Sequence, residues 1–210
     1  MSETLSEKHD RLNGEALDRL YPLYGQAMLN WSNVEDCLCE WFHYLSGMKY
    51  PQARAVFFSA RGFAARADML SALLDFPDEK RFVLEFVRDS LNKSIGYSQV
   101  RNRLAHRIPV INTTNDQCHI VELHEGGAHP FLSGAPILGA HLTIISDNYA
   151  KLGRINRDAW LLTREKDSKE RQERLQECHE KLLLLPSQAD SNELSRKQRG
   201  RELQRKSSRK

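Results

Sequence analysis

The chain is short of several things, and each absence narrows what it can be. No apolar run approaches the roughly 20 residues that a bilayer crossing needs; "LLLL" at 182–185 is the longest pure leucine run. The opening "MSETLSEKHD" is polar and carries acids, which suits neither a signal peptide nor a transit peptide. The expectation is a cytoplasmic protein with no membrane partner. Only four cysteines occur, Cys37, Cys39, Cys118 and Cys178, and their spacing fits no zinc or disulfide framework. They read as free thiols of a reducing compartment. His119, His124 and His129 are evenly spaced, but a run of imidazoles without further ligands is a weak metal signal. No metal and no cofactor is expected. No internal repeat is visible.

What is present is ordinary for a folded soluble domain: 40% hydrophobic and 28% charged residues in a chain of 210. The net charge of +3 conceals an asymmetry. Residues 187–210 hold eight Lys/Arg against three acids, whereas the rest holds 23 against 25. The segment "SRKQRGRELQRKSSRK" has almost no apolar residue. It reads as a disordered basic tail over 186–210, either merely solubilising or a salt-sensitive tether to nucleic acid.

Apolar spacing organises the remainder. Residues 1–16 read as a flexible N-terminus. Tyr24, Met28, Trp31, Val34, Leu38 and Leu45 recur at helical spacing and predict a first helix over 17–45, stopped by Gly47. A second helix is predicted over 51–74 with Pro51 in its first turn. A third runs over 79–106, where Gly96 is a candidate bend and Pro109 forces an end. "IPVIN" and "CHIVELH", joined by "TTNDQ", predict a β-hairpin. Residues 125–140 are rich in Gly and Pro and read as a loop. "HLTII" reads as a further piece of the hairpin, and Ser146 as the N-cap of the next helix. A last apolar stripe, Leu175, Cys178, Leu182 and Leu185, ends at Pro186. The fold class is mainly α: a helical bundle over 17–185 with a β-hairpin and loop inserted at about 108–145.

The stretch with chemistry in it is "RNRLAH", 101–106. A guanidinium can clamp a phosphate with its fixed fork of donors. An imidazole can give or take a proton near neutral pH. Five helical positions separate Arg101 from His106 by about 140° around an ideal helix, so the two do not stack. His106, however, falls in the final turn, where the helix frays or tightens. Asn102 adds an amide, and Arg103 and Arg107 add positive charge.

"RNRLAH" at a helix end resembles the signature of the HEPN superfamily: Arg, a polar residue, three or four further positions, then His. "GQAMLNWSNVEDCLCEWFHYLSG" (25–47) is similar to the first long helix of such proteins, and "ARADMLSALL" (65–74) to their second. The resemblance covers about 20–165. It implies a compact HEPN-like helical bundle that forms a homodimer. It also implies a metal-independent endoribonuclease of toxin–antitoxin, antiphage defence or RNA-processing type. Arg101 and His106 of each copy would meet those of its partner in one cleft, with Asn102 in support. The alternative is a non-catalytic HEPN-like dimeric module that binds nucleic acid or another protein. Some HEPN toxins carry a Tyr two residues after the motif His that a partner enzyme modifies. Here Ile108 stands there, so that route is not expected, and any antitoxin or regulatory protein is a separate molecule.

Other residues fall around this motif. Glu35 lies beside the Trp31–Val34–Leu38 seam, where a carboxylate needs a partner. It can orient Arg101, or it can form a packing salt bridge with Arg66 or Arg103. Arg54 and Arg61, seven apart, would share one face of the second helix and are candidates for RNA contact or a solvated face. Trp31, Trp41 and Trp160 read as core rather than as base-stacking platforms.

Overall fold

The computed structural model describes residues 4–75, 81–115, 118–125, 137 and 139–190. Among these, six helices and one hairpin follow in the order α1 (Leu5–Ser46), α2 (Tyr50–Ser59), α3 (Phe63–Leu74), α4 (Arg81–Ala105), β1 (Arg107–Asn115), β2 (Cys118–Glu125), α5 (Gly139–Leu162) and α6 (Lys169–Leu183). The chain is mainly helical. None of the described helices is long and apolar enough to cross a membrane.

The first helix begins twelve residues earlier than its apolar stripe announces. Thr4 accepts from the Glu7 backbone N–H, and the Glu7 side chain accepts from the Thr4 backbone N–H. This capping box satisfies helix-end donors that would otherwise be orphaned. Residues 5–16 therefore belong to α1, and Ala16 is already buried. Pro22 sits inside the helix. Gly47, at φ 66°, takes the left-handed geometry that closes it.

The expected helix over 51–74 is two helices. Ala60 leaves helical geometry and Gly62, at φ 85°, turns the chain into α3. A left-handed residue inside a helix breaks the hydrogen-bond ladder, so Gly62 separates two short helices where apolar spacing alone suggested one. By contrast, Gly96 does not break α4, which is continuous through it.

The hairpin is antiparallel, with Val110 opposite Glu122 and Asn112 opposite Ile120. Its first strand reaches Asn115, farther than "IPVIN" suggests. Leu123 also bridges Ile137. "HLTII" is not strand but the first turns of α5. Leu142, Ile145 and Tyr149 are fully buried on one helical stripe, so tertiary packing overrides the β-branched composition. Ser146 is consequently a buried residue within α5 rather than its cap; it takes a hydrogen bond from Asn30 Nδ2 at 2.9 Å. The loop expected over 125–140 lies mostly outside the described residues, as do the side chains of His119, His124 and His129.

The core gathers on α1, which packs chiefly along α5. Trp31 meets Phe63 and Tyr149 edge-on, with centroids 5.1 and 5.3 Å apart. Trp41 Nε1 donates to Asn156 Oδ1 at 2.9 Å, and Ser90 Oγ donates to the same oxygen at 2.5 Å. Asn156 thereby ties α1, α4 and α5 through one fully buried amide. Trp31 and Trp41 are core, whereas Trp160 is half-buried with the Arg164 guanidinium 3.8 Å from its ring centroid.

Candidate functional site

The inward stripe of α4 is Tyr97, Val100 and Leu104, all fully buried. That leaves Asn102 facing outward, with Arg101 and Arg103 half-buried on the two flanks of the stripe. The helix closes with the His106 backbone N–H on the Asn102 carbonyl at 3.3 Å. His106 is then the exposed link to β1. A helix C-terminus favours positive charge, and this one carries Arg103 in its last turn.

Arg101 is half-buried. Its Nη1 donates to Asn102 Oδ1 at 3.1 Å, so the amide steadies the guanidinium. Its Nε is buried and has no acceptor among the described residues. No side-chain hydrogen bond to His106 occurs among the described residues either. One guanidinium with an unanswered donor and one exposed imidazole thus mark the end of α4.

The two flanking arginines are engaged. Arg103 Nη2 meets Asp190 Oδ2 at 2.7 Å. Arg107, a candidate RNA contact by sequence, is instead buried, and its Nη1 donates to the Leu123 carbonyl at 2.8 Å. It fastens the hairpin to its own base, because the side chain of this first strand residue turns toward the partner strand rather than solvent.

Glu35 takes the packing partner. Its Oε1 lies 2.7 Å from Arg66 Nη1, with the side chains 13% and 17% exposed. Arg66 Nε also donates to the Ala60 carbonyl at 3.3 Å, and its guanidinium lies 4.9 Å from the Phe58 ring centroid. The pair clamps α1 to the α2–α3 turn and leaves Arg101 to Asn102. Arg54 is held by Asp36 at 2.7 Å and also lies over the Phe58 ring, 4.7 Å from its centroid. Arg61 lies in the turn between α2 and α3, exposed, so it shares no helix face with Arg54.

Two neighbours of the motif carry no mark of a site residue in the sequence. Tyr149 on α5 donates to the Tyr97 carbonyl at 3.3 Å. Burial pushes its phenol far above the usual range and the Asp190 charge adds to this; Arg101 and Arg103 pull the other way. Tyr149 is therefore a buried, neutral buttress behind the two arginines. Asp190 falls within the expected tail. Only its place four residues after Pro186, ahead of the basic run, hints at a different role.

Away from this end, three thiols are free and buried: Cys37, Cys39 and Cys178. Burial raises the Cys37 thiol to about 12 and the Cys39 thiol to about 11, so neither is a nucleophile at neutral pH. Among the described residues no group of three or more His, Cys, Asp and Glu could hold a metal ion. Compared with family models, with curated proteins and with solved structures, the chain matches none.

Proposed function

We propose that the chain is a HEPN-type, metal-independent endoribonuclease that acts as a homodimer. The observation that carries this reading is the contrast at the end of α4. Arg101 keeps a buried Nε donor without an acceptor among the described residues, Asn102 steadies it, and His106 stands exposed one turn on. A buried unanswered donor is costly, and functional sites are where such costs are retained.

In the proposed reaction the 2′-hydroxyl of RNA attacks the adjacent phosphorus. The P–O5′ bond breaks, leaving a 2′,3′-cyclic phosphate and a free 5′-hydroxyl. Arg101 holds the phosphate and stabilises the charge that grows on its non-bridging oxygens. His106 handles one proton of the exchange, taking it from the 2′-hydroxyl or giving it to the departing 5′-oxygen. A second copy would supply the other imidazole.

The surface beside the site suits a second copy. Between 92 and 106 the exposed positions of α4 and its end are Asn92, Ile95, Gln99, Asn102, Ala105 and His106. His106 is the only ionisable group among those six, in a chain 28% charged. Depletion of charge marks the centre of protein interfaces. A second reading, a non-catalytic module binding nucleic acid or protein, is favoured by the engagement of Arg103 and Arg107, which leaves a phosphate only Arg101 among the three. Biological context follows the resemblance: a toxin with a separate antitoxin, a defence factor or an RNA-processing enzyme.

Incubation of a broad RNA pool with wild type and His106→Ala, both in EDTA, separates the readings. Wild type is expected to cleave and leave cyclic phosphate ends, with the variant slower by about 10²–10⁴. Equal cleavage by both, or none by wild type, contradicts the nuclease.

A further inference from the structure

Helices α1 and α5 run in the same direction along their shared seam: Asn30 meets Ser146, Cys37 meets Gly153 and Trp41 meets Asn156. At this seam lies an open cleft of about 210 Å³. From α1 it is lined by Asn30, Asn33 and Cys37, and from α5 by Gly153, Arg154 and Arg157. None of its lining residues belongs to α4, so it is separate from the Arg101/His106 end. Its chemistry is one-sided. Arg154 and Arg157 stand exposed about one helical turn apart. Among the described residues no acid lines the cleft, and Arg154 and Asn33 have no hydrogen-bond or ion-pair partner. Glu40 acts on Arg157 electrostatically but is not part of the lining. Asn30 is already occupied: its Nδ2 donates to Ser146 Oγ at 2.9 Å, and its Oδ1 accepts from Gln26 Nε2 at 3.2 Å. Cys37 Sγ donates to the Gly153 carbonyl at 3.4 Å. Burial keeps that thiol neutral, so it brings no negative charge to the cleft.

Gly153 adds a second observation. Glycine weakens a helix interior relative to alanine. Yet a Cβ at 153 would stand 3.8 Å from Val34 Cγ2 and 3.9 Å from Asn33 Cβ, which is ordinary contact. Packing therefore does not demand glycine there; what a side chain would remove is room in the cleft. We propose that the cleft binds the phosphate group of a small phosphomonoester, gripped between the Arg154 and Arg157 guanidiniums with the Asn33 amide in support. Two guanidinium forks match a doubly charged tetrahedral anion, whereas one fork answers a carboxylate. A phosphomonoester is close to doubly charged at neutral pH, and a phosphate within a nucleic-acid strand carries a single charge. Pockets for drug-sized ligands hold roughly 300–1,000 Å³. This smaller cleft suits a phosphate on a short polar body. The site stands whether or not the end of α4 cleaves RNA.

The test is calorimetric titration of the full-length protein at constant ionic strength in chloride. The probes are inorganic phosphate, ribose 5-phosphate, ribose, and a short 2′-O-methylated RNA with hydroxyl at both ends. Melting curves confirm that each variant is folded. Ribose 5-phosphate is expected to bind more tightly than inorganic phosphate, and ribose not at all. Arg154→Gln and Arg157→Gln should each weaken binding about tenfold, as loss of a charged hydrogen-bond donor does. Gly153→Ala should melt no lower than wild type and bind several-fold more weakly, an effect that a merely structural glycine would not have. Arg101→Ala should bind as wild type does. No binding of ribose 5-phosphate, equal binding of ribose, or undiminished binding by the Arg154→Gln/Arg157→Gln double variant would each overturn the site. Binding lost in Arg101→Ala but kept in the double variant would overturn it too, and would place the phosphate at the end of α4. RNA held through the two arginines in the absence of ribose 5-phosphate binding would overturn it in favour of a strand contact.

Discussion

Glu35 and Arg66 hold each other at 2.7 Å between α1 and α3, almost shut off from solvent. At the end of α4, Arg101 has Asn102 on one nitrogen and a buried Nε with no acceptor among the described residues, and His106 stands in the open. Both regions place a charged group beside a packed helix seam. In the first, the two opposite charges answer each other within the chain, and the result is a structural clamp. In the second, a demand is left over. Charge near a core does not distinguish a brace from a site. A buried unanswered donor alone does not either, since Arg171 Nε and Trp31 Nε1 share it among the described residues. What sets the end of α4 apart is that such a donor stands close in sequence to an exposed imidazole.

Substitutions should separate the two regions by which property they move. The largest effects belong to the open end. Arg101→Ala is expected to slow RNA cleavage by about 10²–10³, as loss of a charge-stabilising donor does, with the melting point unchanged within about two degrees. A matching fall in stability would make Arg101 a second brace.

The clamp should behave in reverse. Glu35→Gln leaves Arg66 half-buried without its counter-charge. The cost is about 2 kcal/mol, between an exposed and a fully buried pair, read as a melting point about 4–8 °C lower. Cleavage per folded molecule should stay at the wild-type rate. A loss of cleavage in the folded fraction would restore Glu35 as an orienter of Arg101.

A third, smaller effect comes from Glu40, which lies between these extremes. Its Oε2 is buried with no partner among the described residues, and burial raises its carboxyl above the usual value, against the pull of Arg157. A raised folded value favours the protonated form, so Glu40 adds most stability at acid pH and loses that contribution as pH rises through its folded value. Glu40→Gln should therefore raise the melting point by about 2 °C at neutral pH. The advantage should vanish in acid, below the ordinary carboxylate range, where wild-type Glu40 is protonated. An equal gain at both pH values would remove the titration as its cause.

The sequence was legible where spacing and packing agree. The stripe from Trp31 to Leu45 marks α1, Pro109 marks the end of α4, and the alternation after it marks the hairpin. It was less legible where local signals compete with tertiary packing. "HLTII" carries β-branched residues yet lies in α5, because Leu142, Ile145 and Tyr149 complete a buried helical stripe. Gly62 hides a turn that only its positive φ exposes. The Thr4–Glu7 capping box is present as a pattern, but no apolar stripe stands behind it to draw attention. In the candidate site, Arg101, Asn102 and His106 were readable from one short motif. Asp190 was not, because a contact across 87 residues leaves no local trace. Arg107 looks like its neighbours Arg101 and Arg103, and only the start of β1 turns it inward.

The proposal that each chain gives half of a composite site is tested most directly by mixing two impaired halves. Arg101→Ala and His106→Ala chains, each strongly impaired alone, are co-expressed with different tags, and the mixed dimer is isolated and assayed on RNA in EDTA. In that dimer one chain keeps its Arg101 and the other its His106. A composite cleft predicts cleavage well above either parent. Mixed dimers no more active than the parents, or no dimer at all, would contradict it.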